Sequence, residues 1–143
     1  MILNEIQIQE VSWQFASSSL REIRFEVFIK EQCVPETLEW DGLDIACTHL
    51  LAVTHDNIPV GTVRLLPDGH IGRMAVIRDW RNRGVGKALL LRILEIARTQ
   101  GLKVAVLNAQ TSARGFYEKF GFCAEGNEFL DVGIPHYKML REL

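Results

Sequence analysis

The chain has 143 residues, 48% of them apolar and 24% charged, with a formal net charge of −2. That length suits a single domain over residues 1–143 with a real core, and the composition is that of an ordinary soluble globule. The balance lacks the extended basic stripe of a nucleic-acid binder, and the longest apolar clusters, such as Ala88 to Leu91, are far too short to span a membrane.

Ile6 and Ile8 alternate with Gln7 and Gln9, which predicts a first strand. Asn4, Glu5, Gln7, Gln9 and Glu10 interrupt Met1 to Val11, so that segment does not read as a signal-peptide core. Ser17 to Ser19 are expected to cap a helix that runs through Leu20, Ile23, Val27 and Phe28 to about Gln32. Cys33 to Ile45 reads as an acidic, irregular connection with Pro35, Glu36, Glu39, Asp41 and Asp44. His49 to Thr54 and Val60 to Leu66 predict two strands joined by a turn at Asp56-Asn57. Pro67-Asp68-Gly69 gives the next turn and Ile71 to Val76 the next strand. Val85, Leu89, Ile93 and Ile96 form one row of a helix, widened by Ala88, Leu90, Leu94 and Ala97 and stopped by Gly101. Lys103 to Leu107 reads as a buried strand, with Asn108 just beyond it. Ser112 is expected to cap a helix that Gly121 ends. Phe122 to Glu125 and Tyr137 to Leu140 complete the strands. Helices and strands interspersed around one sheet predict a mixed α/β class. Cys33, Cys47 and Cys123 show neither disulfide nor zinc spacing. A reduced, cytoplasmic setting and no metal are therefore expected.

The segment most directly tied to chemistry is Arg81-Asn82-Arg83-Gly84-Val85-Gly86-Lys87-Ala88. It joins a strand to a helix. The first N–H groups of a helix lack intrahelical partners, and the helix dipole adds positive charge at that end. Gly84 and Gly86 have no Cβ, so a pyrophosphate can approach the backbone. A P-loop is ruled out because Ala88 stands where the magnesium-binding hydroxyl is needed and Arg81 where the first glycine belongs. A dinucleotide fingerprint is ruled out by Leu89 in place of its third glycine.

Arg81, Gly84 and Gly86 match the pattern Arg/Gln-x-x-Gly-x-Gly/Ala and resemble the acetyl-CoA pyrophosphate loop of the GNAT N-acetyltransferase family. Ser112-Ala113-Arg114-Gly115-Phe116-Tyr117-Glu118-Lys119-Phe120-Gly121-Phe122 resembles the late helix of that family. Arg24-x-x-Val27-Phe28-Ile29-x-Glu31-Gln32-x-Val34-Pro35, continuing to Glu39-x-Asp41-x-x-Asp44, and Gly133-Ile134-Pro135-His136 are similar to its ElaA-like branch. Cys33 stands where that branch often has glycine.

The resemblance implies a mostly antiparallel sheet flanked by helices and splayed where acetyl-CoA binds. It implies acetyl transfer from acetyl-CoA to a primary amine of a small molecule or protein. Backbone N–H groups from Arg83 through Gly84, Val85, Gly86 and Lys87 to Ala88 would hold the pyrophosphate, with Arg81 nearby. Met74, Ala75 and Val76 would pair with the pantetheine arm and polarise the thioester carbonyl. Asn108 would contact the arm, with Gln110 and Ser112 as lesser contacts. Tyr117 would be the general acid; about 100° of helical rotation turns it away from Phe116. His49, His70, His136, Glu31 and Glu26 are candidate bases beside an ordered water. The acidic connection either attracts a cationic amine or is a solvated loop. Homodimers are common in that family, although no segment here specifies an interface. A non-catalytic acyl-CoA-binding or sensor module is the alternative; a nucleotide-binding domain is disfavoured by Arg81, Ala88 and Leu89.

Overall fold

The run Leu50-Leu51-Ala52-Val53 shows no polar alternation because both of its faces are covered. In the computed structural model, which describes residues 5–143, β1 (Ile6–Val11), β2 (Thr48–Thr54), β3 (Pro59–Leu65) and β4 (Ile71–Val76) form an antiparallel sheet in that order. Residues 1–4, part of the segment weighed as a signal-peptide core, lie outside the described residues. Leu51 and Val53 meet Ala16, Leu20, Ile23 and Val27 on one face. Leu50 and Ala52 meet α3 (Val85–Thr99) on the other, through Val85, Leu89, Ile93 and Ala97. Gly61 permits this close approach, since a Cβ there would lie 3.0 Å from Val85 Cγ1 and 3.1 Å from Leu89 Cδ1.

α1 (Trp13–Arg24) starts earlier than the serine run suggested. Ser12 is its cap, accepting the Phe15 N–H at 3.2 Å, and Ser17 to Ser19 lie inside the helix. The buried row already begins at Ala16, before those serines, so the helix must start ahead of them. It continues as a π-helical segment, Phe25–Glu31, a rare form that is frequent at functional sites. Cys33 follows at φ +60°, the left-handed conformation that glycine adopts without cost. The connection beyond it is more ordered than expected: α2 (Glu36–Glu39) and a 3₁₀ turn at Asp44–Ala46.

β5 (Val104–Gln110), β6 (Cys123–Asp131) and β7 (Ile134–Glu142) form a second antiparallel sheet in the order β5-β7-β6. Asn108 therefore lies within β5 rather than beyond it. β6 and β7 outrun their expected limits because β6 is an almost wholly exposed edge strand, so no apolar alternation marks its length. Ser112 is not a helix cap; it sits in a 3₁₀ turn, Thr111–Ala113, leading into the short α4 (Arg114–Glu118). β4 and β5 meet, among the described residues, at a parallel bridge between His70 and Val106, where the Val106 N–H donates to the Gly69 carbonyl at 3.0 Å. Beyond it they separate into different sheets. This is the splay that the family resemblance implied. Among the described residues no helix is long and apolar enough to cross a membrane.

Candidate active site

The turn after β4 is built to expose backbone donors. Asn82 and Gly84 take φ +59° and +87°, which reverses the chain into α3. Gly84 caps α3 without a side-chain hydrogen bond. The Ala88 N–H donates to the Gly84 carbonyl at 3.0 Å, so it is already used. Among the described residues, the N–H groups of Val85, Gly86 and Lys87 have no backbone acceptor. These three remain free for an anion at the helix N-terminus. A Cβ on Gly86 would meet Phe116 Cζ at 3.8 Å, an ordinary contact, so its absence leaves open space.

The arginines of the turn are occupied. Arg81 Nη1 and Nη2 donate to Glu31 at 2.6 and 2.7 Å, and its Nε donates to the Val76 carbonyl at 2.9 Å. Arg81 thus ties the π-helical segment to the end of β4. The pair holds the Glu31 carboxyl below its ordinary range, chiefly through the Arg81 hydrogen bonds, so Glu31 is poorly suited to accept a proton. Arg83 reaches Glu5 at 3.0 Å and lies over the Trp80 ring at 4.1 Å. Lys87 is exposed.

Where β4 leaves β5, β4 also bulges. Its pairing with β3 passes from Gly72 opposite Arg64 to Ala75 opposite Thr62, skipping Arg73 and Met74. Arg73 adopts φ +50°, and Met74 faces the gap. The Tyr117 hydroxyl donates to Met74 Sδ at 3.6 Å. Its ring sits edge-on to Phe116 and Phe122, with centroids 5.1 and 5.9 Å away. Burial pushes the Tyr117 phenol up to about 12.

A cavity of about 660 Å³ opens here, lined by Phe28, Met74, Asn108, Tyr117, His70 and His136 among others. Gln110 closes one side by donating to Gln32 at 2.9 Å. His70 is half exposed, with Nδ1 2.9 Å from Asp68. His136 is buried. His49 lies elsewhere: its Nε2 is 2.8 Å from the Asp44 carbonyl, and burial lowers its pKa. It is a structural histidine and not a base for this cavity. Glu26 is exposed and pairs with Lys30 at 3.6 Å.

The acidic connection is neither a trap for cations nor a solvated loop. Arg24 donates to Glu39 at 2.8 Å and to Asp44 at 2.7 Å; Arg64 donates to Asp41 and Asp44, each at 3.0 Å. Arg73 reaches Asp41 at 3.2 Å and the Glu39 carbonyl at 3.1 Å. Trp13 and Trp40 carry the Arg24 guanidinium at 5.5 and 5.1 Å. Three guanidiniums balance three carboxylates behind the cavity wall. Sequence reasoning missed these arginines as partners of the acids. The available signal was Arg64, a lone charge inside an otherwise buried apolar run, because such a charge requires a partner.

This cluster sets a pH dependence of stability. Burial alone would raise Asp41 and Asp44. Hydrogen bonds and charges from Arg64, with Arg24 at Asp44, outweigh it and hold Asp41 at about 2 and Asp44 below its ordinary range. A carboxyl depressed in the folded state stabilises fully above its unfolded value and loses that contribution as pH falls through its folded value. The contribution of Asp41 and Asp44 to the urea midpoint is expected to be level above the unfolded value of 3.8 and to fall steeply from there toward about 2. Unchanged midpoints across that window would deny the carboxylates this role.

The Acetyltransferase (GNAT) domain model matches residues 5–143. The chain belongs to the GNAT acetyltransferase family. It is 37% identical over 124 residues to the uncharacterized N-acetyltransferase YjcF of Bacillus subtilis, covering 84% of this chain and 88% of that protein. The crystal structure of Escherichia coli ElaA superposes with a TM-score of 0.86 at 29% identity, covering 96% of this chain and 99% of ElaA. A GNAT acetyltransferase from Elizabethkingia anophelis, solved with acetyl-CoA bound, superposes with a TM-score of 0.70 over 97% of this chain and 99% of its own. At 19% identity that last likeness speaks to the fold alone.

The protein is thus an acetyltransferase of the GNAT type, and N-acetyl transfer is its chemistry. In this GNAT chain the strand splay and a half-buried tyrosine share one cleft, and the α3 N-terminus follows from the same strand, β4. Its ElaA-like signature has a structural reading as well. Arg24, Glu39 and Asp44, which helped carry that resemblance, are one another's buried partners.

Proposed function

We propose that this single domain transfers acetyl from acetyl-CoA to a primary amine of a small molecule or protein by direct attack on the thioester. The observation that carries the reading is the Tyr117 hydroxyl on Met74 at the mouth of the splay. The free N–H groups of Val85, Gly86 and Lys87 hold the pyrophosphate, with Arg83, Gly84 and Ala88 shaping the turn. Arg81 acts from behind, by fixing the Val76 carbonyl and the π-helical wall. Met74, Ala75 and Val76 present backbone to the pantetheine arm, and Asn108 contacts it from β5. Tyr117 delivers a proton to the leaving sulfur. No metal, nucleic acid or membrane enters the reaction. The enzyme works in the cytoplasm, as a monomer or homodimer.

Calorimetry with acetyl-CoA on Gly86→Glu and Gly86→Ala tests the donor site. A Cβ at Gly86 meets only an ordinary contact, so neither variant is strained at that atom. The glutamate places a carboxylate against the pyrophosphate, and binding is expected to weaken roughly tenfold or more, about 1.4 kcal/mol. The alanine variant is expected to bind better than the glutamate. Wild-type affinity in Gly86→Glu would put the pyrophosphate elsewhere. Release of CoA thiol with an amine present separates a catalyst from a binding module.

A further inference from the structure

We propose that His136 is the base that takes the proton from the acceptor amine. This rests on the acetyl-transfer reading and supplies the proton acceptor it lacks. His136 lies on β7, paired with Gln110 of β5 and Phe129 of β6. The residue is 7% exposed and forms part of the cavity wall with Tyr117 and Met74.

Two contacts fix this imidazole. Nδ1 lies 2.6 Å from the Ile134 carbonyl oxygen. A carbonyl only accepts, so Nδ1 carries the hydrogen and, in the neutral ring, Nε2 carries the lone pair. The ring also stacks on Phe129, with centroids 6.0 Å apart and planes at 27°. An acceptor on the far nitrogen is how an imidazole base is kept in its working tautomer. Among the described residues Nε2 makes no hydrogen bond and is not fully enclosed, which leaves its lone pair available on a residue that lines the cavity.

The other titratable groups of the cavity are unsuited or remote. Glu39 is held by Arg24 at 2.8 Å and Arg73 at 3.0 Å. Tyr117 keeps its proton to about 12, which suits an acid. Arg64 and Arg73 are cations bound to carboxylates. Asp131, on the β6 edge, is exposed, and Glu128 accepts the Thr111 hydroxyl at 2.8 Å. Lys138, on β7, pairs with Glu125 at 3.7 Å, and Arg114 lies over the Tyr137 ring. His70 is tied to Asp68 in solvent.

In the step, the amine nitrogen attacks the thioester carbon and a C–N bond forms. The surplus proton on nitrogen passes to His136 Nε2. The C–S bond breaks and the sulfur leaves with the Tyr117 proton. Solvent then takes the proton from His136 and reprotonates Tyr117. The sum is amine plus thioester to amide plus thiol.

The test is His136→Gln, assayed by thiol release. The acceptor is whichever primary amine turns over fastest with wild type among amino acids, polyamines and lysine peptides. The amide can still donate to the Ile134 carbonyl but cannot accept a proton from an amine. The kcat is expected to fall about 100-fold or more. Wild-type kcat/KM should carry an acidic limb that vanishes in the variant, while added imidazole restores part of the rate. Acetyl-CoA affinity should stay at the wild-type value. An intact limb in His136→Gln, or its loss in His70→Gln instead, overturns the proposal. Wild type that binds acetyl-CoA yet turns over none of these amines overturns the acetyl-transfer reading and this inference together.

Discussion

Tyr117→Phe is expected to lower kcat by about 10² to 10⁴ while leaving acetyl-CoA affinity unchanged. The ring stays, with its edge-on contacts to Phe116 and Phe122, so packing is not the variable. What goes is one donor, which now rests on Met74 Sδ at 3.6 Å, a weak acceptor that a departing thiolate would readily replace. Burial pushes this phenol up to about 12. That is no obstacle to acid catalysis, because the same desolvation raises the proton affinity of a thiolate formed beside it. It also predicts the alkaline side of the profile. Acid function needs the protonated phenol, so the rate should not fall through the ordinary tyrosine range near 10. Stopped assays of wild type and Tyr117→Phe across pH read both effects. A variant with full kcat removes Tyr117 from proton transfer; a wild-type rate that falls near 10 means the phenol is not desolvated during turnover.

The strand, turn and helix proposed to hold the donor were readable in the sequence because their signals are local. Gly84 and Gly86 mark a backbone requirement, and Val85, Leu89 and Ile93 announce a helix behind them. Strand, turn and helix are contiguous, so spacing alone brings them together. The splay was legible only through family resemblance. Nothing in Ile71 to Val76 says that β4 will bulge at Arg73 or part from β5 after His70. Asn108 was placed outside its strand because the apolar run stops at Leu107, whereas β5 continues on hydrogen bonds to β7. The wall of the cavity was misread for a deeper reason. Glu39, Asp41 and Asp44 look like a solvated run until Arg24, Arg64 and Arg73 arrive from α1, β3 and β4. Composition records the charges but not which of them neutralise one another. The Glu31 to Arg81 pair spans a longer stretch of sequence and was equally hidden.

Arg24→Met is expected to cost about 3–5 kcal/mol of stability, the usual loss when one partner of a buried pair is removed. Arg24 is 1% exposed, and its planar head lies over the Trp13 and Trp40 rings at 5.5 and 5.1 Å, so methionine occupies the site without supplying a charge. Glu39 and Asp44 lose their bonds of 2.8 and 2.7 Å. Asp44 retains a hydrogen bond from Arg64 at 3.0 Å, whereas Glu39 keeps Arg73 at 3.0 Å as an ion pair without a hydrogen bond, so the sharper loss falls on Glu39. Burial pushes the Glu39 carboxyl up even with Arg24 and Arg73 beside it, and without Arg24 it should take a proton readily. The gap between variant and wild type, read from urea midpoints, should therefore narrow as pH falls into the carboxylate range. The double variant Arg24→Met/Glu39→Met should recover part of the loss, since it strands no charge at position 39. A single variant as stable as wild type would mean that the cluster adds no net stability. An equal loss in single and double variants would mean that Arg24 acts through its packing on the tryptophans and not through the carboxylates it joins.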